Sequence, residues 1–315
     1  QVAGQTATNG STWQSSGKLD LSTTYRLAVT ATNTAGQQTN QTTTFTTLRP
    51  THRQTLDTNV ANGGVYGIAM PISITFDRSV PSSAKAAVEK ALSVTSSPAQ
   101  EGSWGWVNDG YHDNNTRLDY RPKSYWTPGT KVTLHAAFTG LQFGQGTYAT
   151  HDYNLSFAIS GRGQYSVADT KTHKLTVYRG GSVVRTLPMT SGQPGLDTWT
   201  GTFAVLDKQP SVHMNSETVG LGKAYDLKDV KNAVHLTLSG TYVHDAPWSV
   251  AQQGVVNVSH GCIGLSDANS QWFYDNTMVG DPVQVTNSPR HVRLGNGYTD
   301  FTLSWSAWQQ LSALT

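Results

Sequence analysis

Cysteine is nearly absent from this chain: Cys262 is the only one in 315 residues. No intramolecular disulfide can form, so stability has to come from buried cores. Charge is also scarce, with Asp, Glu, Lys and Arg at 13% and 22 basic residues against 20 acidic ones. So even a balance gives no electrostatic footprint for nucleic acid or for an anionic membrane surface. No stretch approaches the roughly eighteen apolar residues of a membrane span, and no signal peptide is recognisable. Gln1 is not a natural start, so the sequence reads as a mature or truncated piece. The histidines are scattered without an HExxH motif or paired Cys/His spacing, which argues against a zinc site. Phosphate-loop and dinucleotide fingerprints are missing, and Asp109, Asp113 and Asp119 do not follow the calcium-loop spacing.

What the chain has in quantity is Thr, Ser, Asn, Gln and Gly, together with nine Trp and thirteen Tyr. That profile suits a β-rich exported protein, and the length suits two or three domains. Residues 1–48 are polar, yet Tyr25, Leu27 and Val29 alternate, and a second run after Asn33, Thr34, Ala35 and Gly36 leads to Phe45. Two strands joined by a turn fit this, as part of a small sandwich; disorder is the competing reading of so polar a segment. A boundary is expected at Leu48, Arg49 and Pro50. Beyond it Tyr66, Ile68, Met70, Ile72, Ile74 and Phe76 occupy every second position, the period of one amphipathic strand. Pro81 opens a short helix carrying Ala84, Val88, Ala91 and Leu92, and strands are expected through Val132 to Phe138 and Tyr153 to Ile159. These spacings describe a β-sandwich over residues 49–160. Its aromatics, Trp104, Trp106, Tyr111, Tyr120, Tyr125 and Trp126, read as core, with a sugar-binding platform as the alternative.

A third domain is expected over 161–288, opening on a hairpin from Leu175 to Val184 that turns at Gly180 and Gly181. Ser266 is placed to cap a helix from Asp267 to Asn276 that buries Trp272 and Phe273. Pro282 to Val285 reads as the last strand. The tail 289–315 carries Phe301, Leu303, Trp305 and Trp308, too apolar for a free end, and is expected to pack on this domain or its neighbour.

The chemistry concentrates between Tyr242 and Leu265. His244 precedes Cys262 by eighteen residues, and Ser259, His260 and Gly261 lead into the thiol. Apolar Val255, Val256 and Val258 before it and Ile263 and Leu265 after it suggest a strand that delivers the cysteine at its end. A free thiol titrates near ~8.5, so a nearby imidazole must lower that value or take the proton. The helix starting after Ser266 would favour thiolate if its dipole pointed at the sulfur. Cys with an upstream His is a candidate acyl-transfer pair, although each residue alone is compatible with a plain core role.

The full pattern, His244, fourteen intervening residues, then Ser259, His260, Gly261 and Cys262, resembles the signature of the L,D-transpeptidases with a YkuD-type catalytic domain. Trp248 within APWS and Gly240 ahead of Tyr242, Val243 and His244 extend the match, which is most like mycobacterial members with preceding immunoglobulin-like domains. The fold class implied is mainly β: immunoglobulin-like sandwich domains followed by a β-rich catalytic domain with a short helix after the cysteine. Two positions depart. The family usually has Asn where this chain has Gly264, and proline is commoner than Trp199. A glycine at 264 would also suit a positive φ.

The resemblance implies an enzyme that cross-links peptidoglycan between the third residues of two stem peptides, one the donor and one the acceptor. Cys262 would be the nucleophile and His244 the base, with Ser259 orienting the imidazole through its backbone carbonyl. Gly261 and Cys262 N–H groups and the Tyr225 hydroxyl would hold the oxyanion. Ser239, Gly240, Trp248 and His260 would line the substrate grooves, with Met214 and Tyr225 at pocket and lid positions. No metal or organic cofactor is implied, and carbapenem β-lactams are the expected covalent inhibitors. The place of action would be extracytoplasmic, in the cell envelope, with a membrane anchor outside this sequence. A hydrolytic wall peptidase, an L,D-carboxypeptidase, remains the nearer alternative. A non-catalytic wall-binding module is the further one.

Overall fold

The structure, a computed structural model, describes residues 1–8, 10–109 and 117–315; Tyr111 and Asp113 lie outside the described residues. Contacts divide the chain into two compact units, one of residues 1–55, 80–93 and 135–154, the other of the remainder.

In the first unit Gly4–Thr6 pairs with Trp13–Ser15, and Thr24–Thr32 pairs antiparallel with Gln38–Thr46. The second hairpin is the one the alternation predicts. Its turn is built by Asn33, whose side-chain oxygen accepts from the N–H groups of Ala35 and Gln37, while Gly36 takes φ +79°. Tyr25 and Phe45 face each other across the strands and stack at 5.8 Å. Pairing in this stretch stays two-stranded, and Val29 remains 50% exposed. The helix expected after Pro81 runs Ser82–Lys90 and buries Val88. Phe138 meets Phe143 edge-on at 5.2 Å, both fully buried.

The second unit contains an antiparallel sheet in the order Gly102–Val107, Arg117–Pro122, Ile72–Phe76, Leu56–Thr58. Ile72, Ile74, Phe76 and Leu118 are its core. Trp104, Trp106, Tyr120 and Trp126 are buried with it, the indole of Trp126 donating to the Met70 carbonyl at 2.8 Å, so these aromatics are core rather than a binding platform. The single strand expected from Tyr66 to Phe76 is two pieces, Val65–Tyr66 and Ile72–Phe76. Between them residues 67–70 turn aside and bond to another segment: Gly67 N–H donates to Val279 and Ala69 N–H to Gly280. Ile68 and Met70 are thus buried by docking rather than by pleating. Gly67 is required there, because a Cβ would lie 2.1 Å from the Asp281 nitrogen.

A six-stranded sheet follows, in the order Ser182–Pro188, Lys174–Arg179, Gln164–Asp169, Pro282–Thr286, Trp199–Ala204, Arg290–His291. The expected hairpin and Pro282–Val285 strand are among these; Gln164–Asp169, Trp199–Ala204 and Arg290–His291 are strands that the sequence pattern did not mark. A four-stranded sheet runs Asp207–Asn215, Asp226–His235, Tyr242–Asp245, Ile263–Leu265. Leu175, Phe203 and Val283 from the first sheet join Val234, Val243 and Ile263 from the second, with Phe273 of the Asp267–Asn276 helix, in one buried cluster. The helix starts where Ser266 predicts, without a side-chain cap bond, and Trp272 is half-buried beneath Arg185.

The C-terminal tail is anchored on several partners. Trp308 is fully buried and its indole donates to the Ser103 carbonyl at 3.0 Å. Arg121 lies against the rings of Phe301, Trp305 and Trp308 and donates to the Leu303 carbonyl at 3.0 Å. Thr302 bonds to Thr202 through its hydroxyl. Asp119, one of the aspartates set aside above, grips the buried Arg117 guanidinium at 2.6 Å. Among the described residues no helix is long and apolar enough to cross a membrane, which leaves β-barrel crossing unaddressed.

Candidate active site

Cys262 lies immediately before the strand Ile263–Leu265, not at the end of an incoming one. Pro247–Ser249 is a short 3-10 helix and residues 250–255 are turns, and Val255 and Val256 are 68% and 45% exposed, so their apolar pattern is not that of a strand. The approach to the cysteine is instead stapled from outside. Thr190 Oγ1 donates to the Val256 carbonyl at 2.9 Å and accepts from Val258 N–H at 3.0 Å. Asn257 accepts from Ser191 N–H and donates to the Thr170 carbonyl. The strand leaving Cys262 pairs in parallel with Tyr242–Asp245, placing His244 opposite Gly264. Histidine and cysteine are therefore carried on neighbouring strands, and both line one cavity of about 320 Å³.

The bonds of His244 define its chemistry. Its Nδ1 lies 2.7 Å from the backbone carbonyl of Asp245. A carbonyl only accepts, so Nδ1 carries the proton and Nε2 is left with a free lone pair. Burial lowers the imidazole pKa, with the Asp245 carbonyl opposing, and the ring is neutral near pH 7. Ser259 does not fill the orienting role expected of it. Its carbonyl accepts from Gln193 N–H at 2.9 Å, while its hydroxyl donates to the Cys262 carbonyl at 2.6 Å and accepts from Gly261 N–H at 3.1 Å. It closes the turn that presents the thiol. Gly261 N–H is thereby committed, and its backbone at φ +125° is glycine's own territory.

The thiol donates to the Gly240 carbonyl at 3.5 Å and receives Tyr242 N–H. Burial pushes its pKa up to about 11, against which the Tyr242 bond is the smaller effect. The helix after Ser266 begins at Asp267, beyond the strand Ile263–Leu265 that follows Cys262. At rest the pair is thiol plus neutral imidazole, not thiolate plus imidazolium.

The remaining candidates gather around this pair. Tyr225 lies against His260, ring centres 5.1 Å apart, and burial together with the nearby Cys262 raises its phenol pKa. Trp248, 58% exposed, stacks 6.1 Å from the His244 ring at the rim. Met214 and Tyr225 line both the His244 cavity and a second one of about 580 Å³, to which Ser239 and Gly240 also belong. Gly264 lies in extended backbone, not at positive φ, and exchanges both backbone bonds with Thr190. Trp199, where proline is commoner, donates its indole N–H to Ser239 Oγ at 3.1 Å. Sequence reasoning missed Thr190, Asp245, Gln193 and Asn296, the last bonding Ser239 through backbone and hydroxyl. Only their place in the fold marks them. Among the described residues no cluster of His, Cys, Asp or Glu can hold a metal ion.

Residues 1–142 match a bacterial Ig domain, and residues 163–285 match the L,D-transpeptidase catalytic domain called YkuD. L,D-transpeptidase 2 of Mycobacterium tuberculosis is 33% identical over 98% of this chain and 74% of its own length. L,D-transpeptidase 5 of the same species is 35% identical over 86% of this chain, which spans 59% of that relative. Among solved structures, LD transpeptidase LdtMt1 in complex with imipenem superimposes with a TM-score of 0.62 and 34% identity, over 75% of this chain and 100% of that one. An L,D-transpeptidase from Mycobacterium smegmatis gives 0.59 and 32% over 75% and 99%. With the cysteine, the histidine and two sheets arranged as described, the chain belongs to the L,D-transpeptidases, as a member that joins an Ig domain to a YkuD catalytic domain.

Proposed function

We propose that this enzyme cross-links peptidoglycan through a thioester on Cys262. The observation that carries the mechanism is the His244 bond to the Asp245 carbonyl, which leaves Nε2 free to take a proton in the cavity that holds the thiol. As Sγ attacks the carbonyl carbon of the third residue of a tetrapeptide stem, its proton passes to Nε2. The oxyanion is held by Cys262 N–H and the Tyr225 hydroxyl. Gly261 N–H can join only by leaving Ser259 Oγ. The imidazolium returns the proton to the departing nitrogen, D-alanine leaves, and the thioester remains. The side-chain amine of a second stem's third residue then attacks, gives its proton to His244 and frees the thiol. Ser259 holds the turn; Met214, Trp248, His260, Ser239, Gly240 and Gly264 wall the cavities. No cofactor takes part.

The same reading assigns residues 161–288 to catalysis, 1–48 and 49–160 to a spacer, and 289–315 to a bracing tail. It also places the enzyme outside the cytoplasm, at the cell wall, with an anchor beyond this sequence. Because LdtMt1 was solved with imipenem, carbapenems are proposed to acylate Cys262 here too. The test is incubation with a disaccharide-tetrapeptide and mass analysis of the products. A cross-linked dimer supports transfer. A tripeptide without dimer selects the carboxypeptidase, and no product at all selects the wall-binding module.

A further inference from the structure

Two unlike cavities meet near Cys262, which lines one of them, while Gly240, the acceptor of its thiol, lines the other. The smaller one holds His244 and His260, and its lining includes no Asp, Glu, Lys or Arg. The larger one is reached across Gly240, whose carbonyl accepts the thiol, and it carries one permanent charge, Arg290. That guanidinium lies 3.6 Å from the centre of the Trp199 ring, a distance at which cation and ring attract and the side chain is held in place. Trp199 is fixed in turn by its bond to Ser239 Oγ, which Asn296 also holds at 2.8 Å. A continuous chain of contacts thus runs Arg290, Trp199, Ser239, Gly240, Cys262. Among the described residues the one side-chain hydrogen bond of Arg290 is a long one, 3.5 Å to the Asp197 carbonyl, and no carboxylate pairs with it. Most of its donor fork is therefore open, over a cavity whose lining includes neither Asp nor Glu.

From this we infer that Arg290, stacked on Trp199, is a substrate-binding residue that takes a carboxylate of the donor stem on the acyl side of the scissile bond. The side follows from His244. The departing amine must lie in the His244 cavity to receive its proton, which sends the acyl part of the donor across Gly240 into the larger one. A planar guanidinium held over an indole offers two parallel N–H groups to a carboxylate, a recognition that lysine cannot copy. Proline at 199 would remove the platform, so this subsite is a property of this chain's own residues. The assignment of sides rests on the acyl-transfer reading above; the anion site itself does not.

Binding is measured with the full chain carrying Cys262→Ala, by calorimetry with a stem tetrapeptide at low salt. Three forms of the peptide are used: free acid, acyl-side carboxylates amidated, and C-terminal carboxylate amidated. Arg290→Gln is expected to weaken the free acid about tenfold or more, with Arg290→Lys between the two. The acyl-side amide should bind both proteins alike, and the C-terminal amide should keep the full Arg290 effect. Equal affinities for Arg and Gln proteins, or cancellation by the C-terminal amide instead, overturn the inference. Unchanged melting temperature and unchanged alkylation of Cys262 by neutral iodoacetamide in Arg290→Gln protein show that fold and thiol are intact. Turnover by the unmodified chain is scored separately. A protein that binds through Arg290 yet makes no product keeps the carboxylate site and loses the transpeptidase mechanism.

Discussion

His244 Nδ1 and the Asp245 carbonyl, 2.7 Å apart, set the protonation pattern of the whole site. The orienting group is backbone, so the Asp245 side chain is free to do something else, and it is poorly placed. It is buried with Oδ1 unpartnered, and burial, followed by the charge of Asp267, raises its pKa. An acid raised in the folded state contributes stability that is complete below its unfolded pKa and lost as pH rises through the folded one. Asp245→Asn is therefore expected to melt higher than the native chain at pH 7, with the gap closing toward pH 4, while kcat stays within a few-fold. Thermal scans at the two pH values check the sign. A collapse of activity would show that the carboxyl, not the carbonyl, serves His244.

The thiol pKa near 11 makes a second prediction. Iodoacetamide reacts with thiolate, so alkylation of the resting enzyme should climb about tenfold per pH unit from pH 7 to 9 without a plateau. Intact-mass kinetics across that range give the curve. A plateau below pH 7 would mean a preformed thiolate–imidazolium pair. Acylation by donor should not share this slope, because there His244 removes the proton during attack.

At position 264 the structure changes what the sequence suggests. An asparagine has to fit a Cβ 2.9 Å from Ala246 Cβ and 3.1 Å from Thr190 Cγ2, both tighter than ordinary contact. Overpacking of this kind costs about 1–3 kcal/mol. Gly264→Asn should lower the melting temperature, and any gain in acylation by donor should appear only once Ala246→Gly and Thr190→Ser together relieve the crowding. A fully stable Gly264→Asn protein would contradict this.

Ser259→Ala removes the bonds to both the Cys262 carbonyl and Gly261 N–H. Two such losses at a half-buried turn cost about 1–3 kcal/mol and loosen the thiol's placement. Steady-state kinetics should show kcat falling roughly tenfold or more, with Ser259→Thr retaining most of it. Unchanged kcat in Ser259→Ala would remove the staple role.

Local pattern made much of this legible. The hairpins at Asn33 and Gly180, the helix after Pro81 and that after Ser266 lie where turn and cap residues put them. The residues Cys262, His244, Tyr225 and Trp248 do converge on one cavity. What failed were inferences about the path of the backbone and about partners that are backbone groups. Ile68 and Met70 kept a strand's period although their neighbours Gly67 and Ala69 bond to Val279 and Gly280 instead of to a strand. Val255 and Val256 looked like a strand and are exposed residues outside any strand. Backbone carbonyls carry no sequence signal, so Ser259 was credited with a bond that Asp245 makes. Arg290 and Trp199 are ninety-one residues apart and meet only because strands Trp199–Ala204 and Arg290–His291 pair in register.

The thioester itself is the most direct test. The full chain is mixed with a tetrapeptide donor without acceptor, quenched in acid within the first turnover, and weighed intact. The expected result is a mass gain equal to the donor less D-alanine, mapped by digestion to Cys262 and absent from Cys262→Ala. His244→Ala should form it on the order of 10²–10⁴-fold more slowly. Cross-linked product from a chain that never carries this adduct, or from Cys262→Ala, would contradict the mechanism.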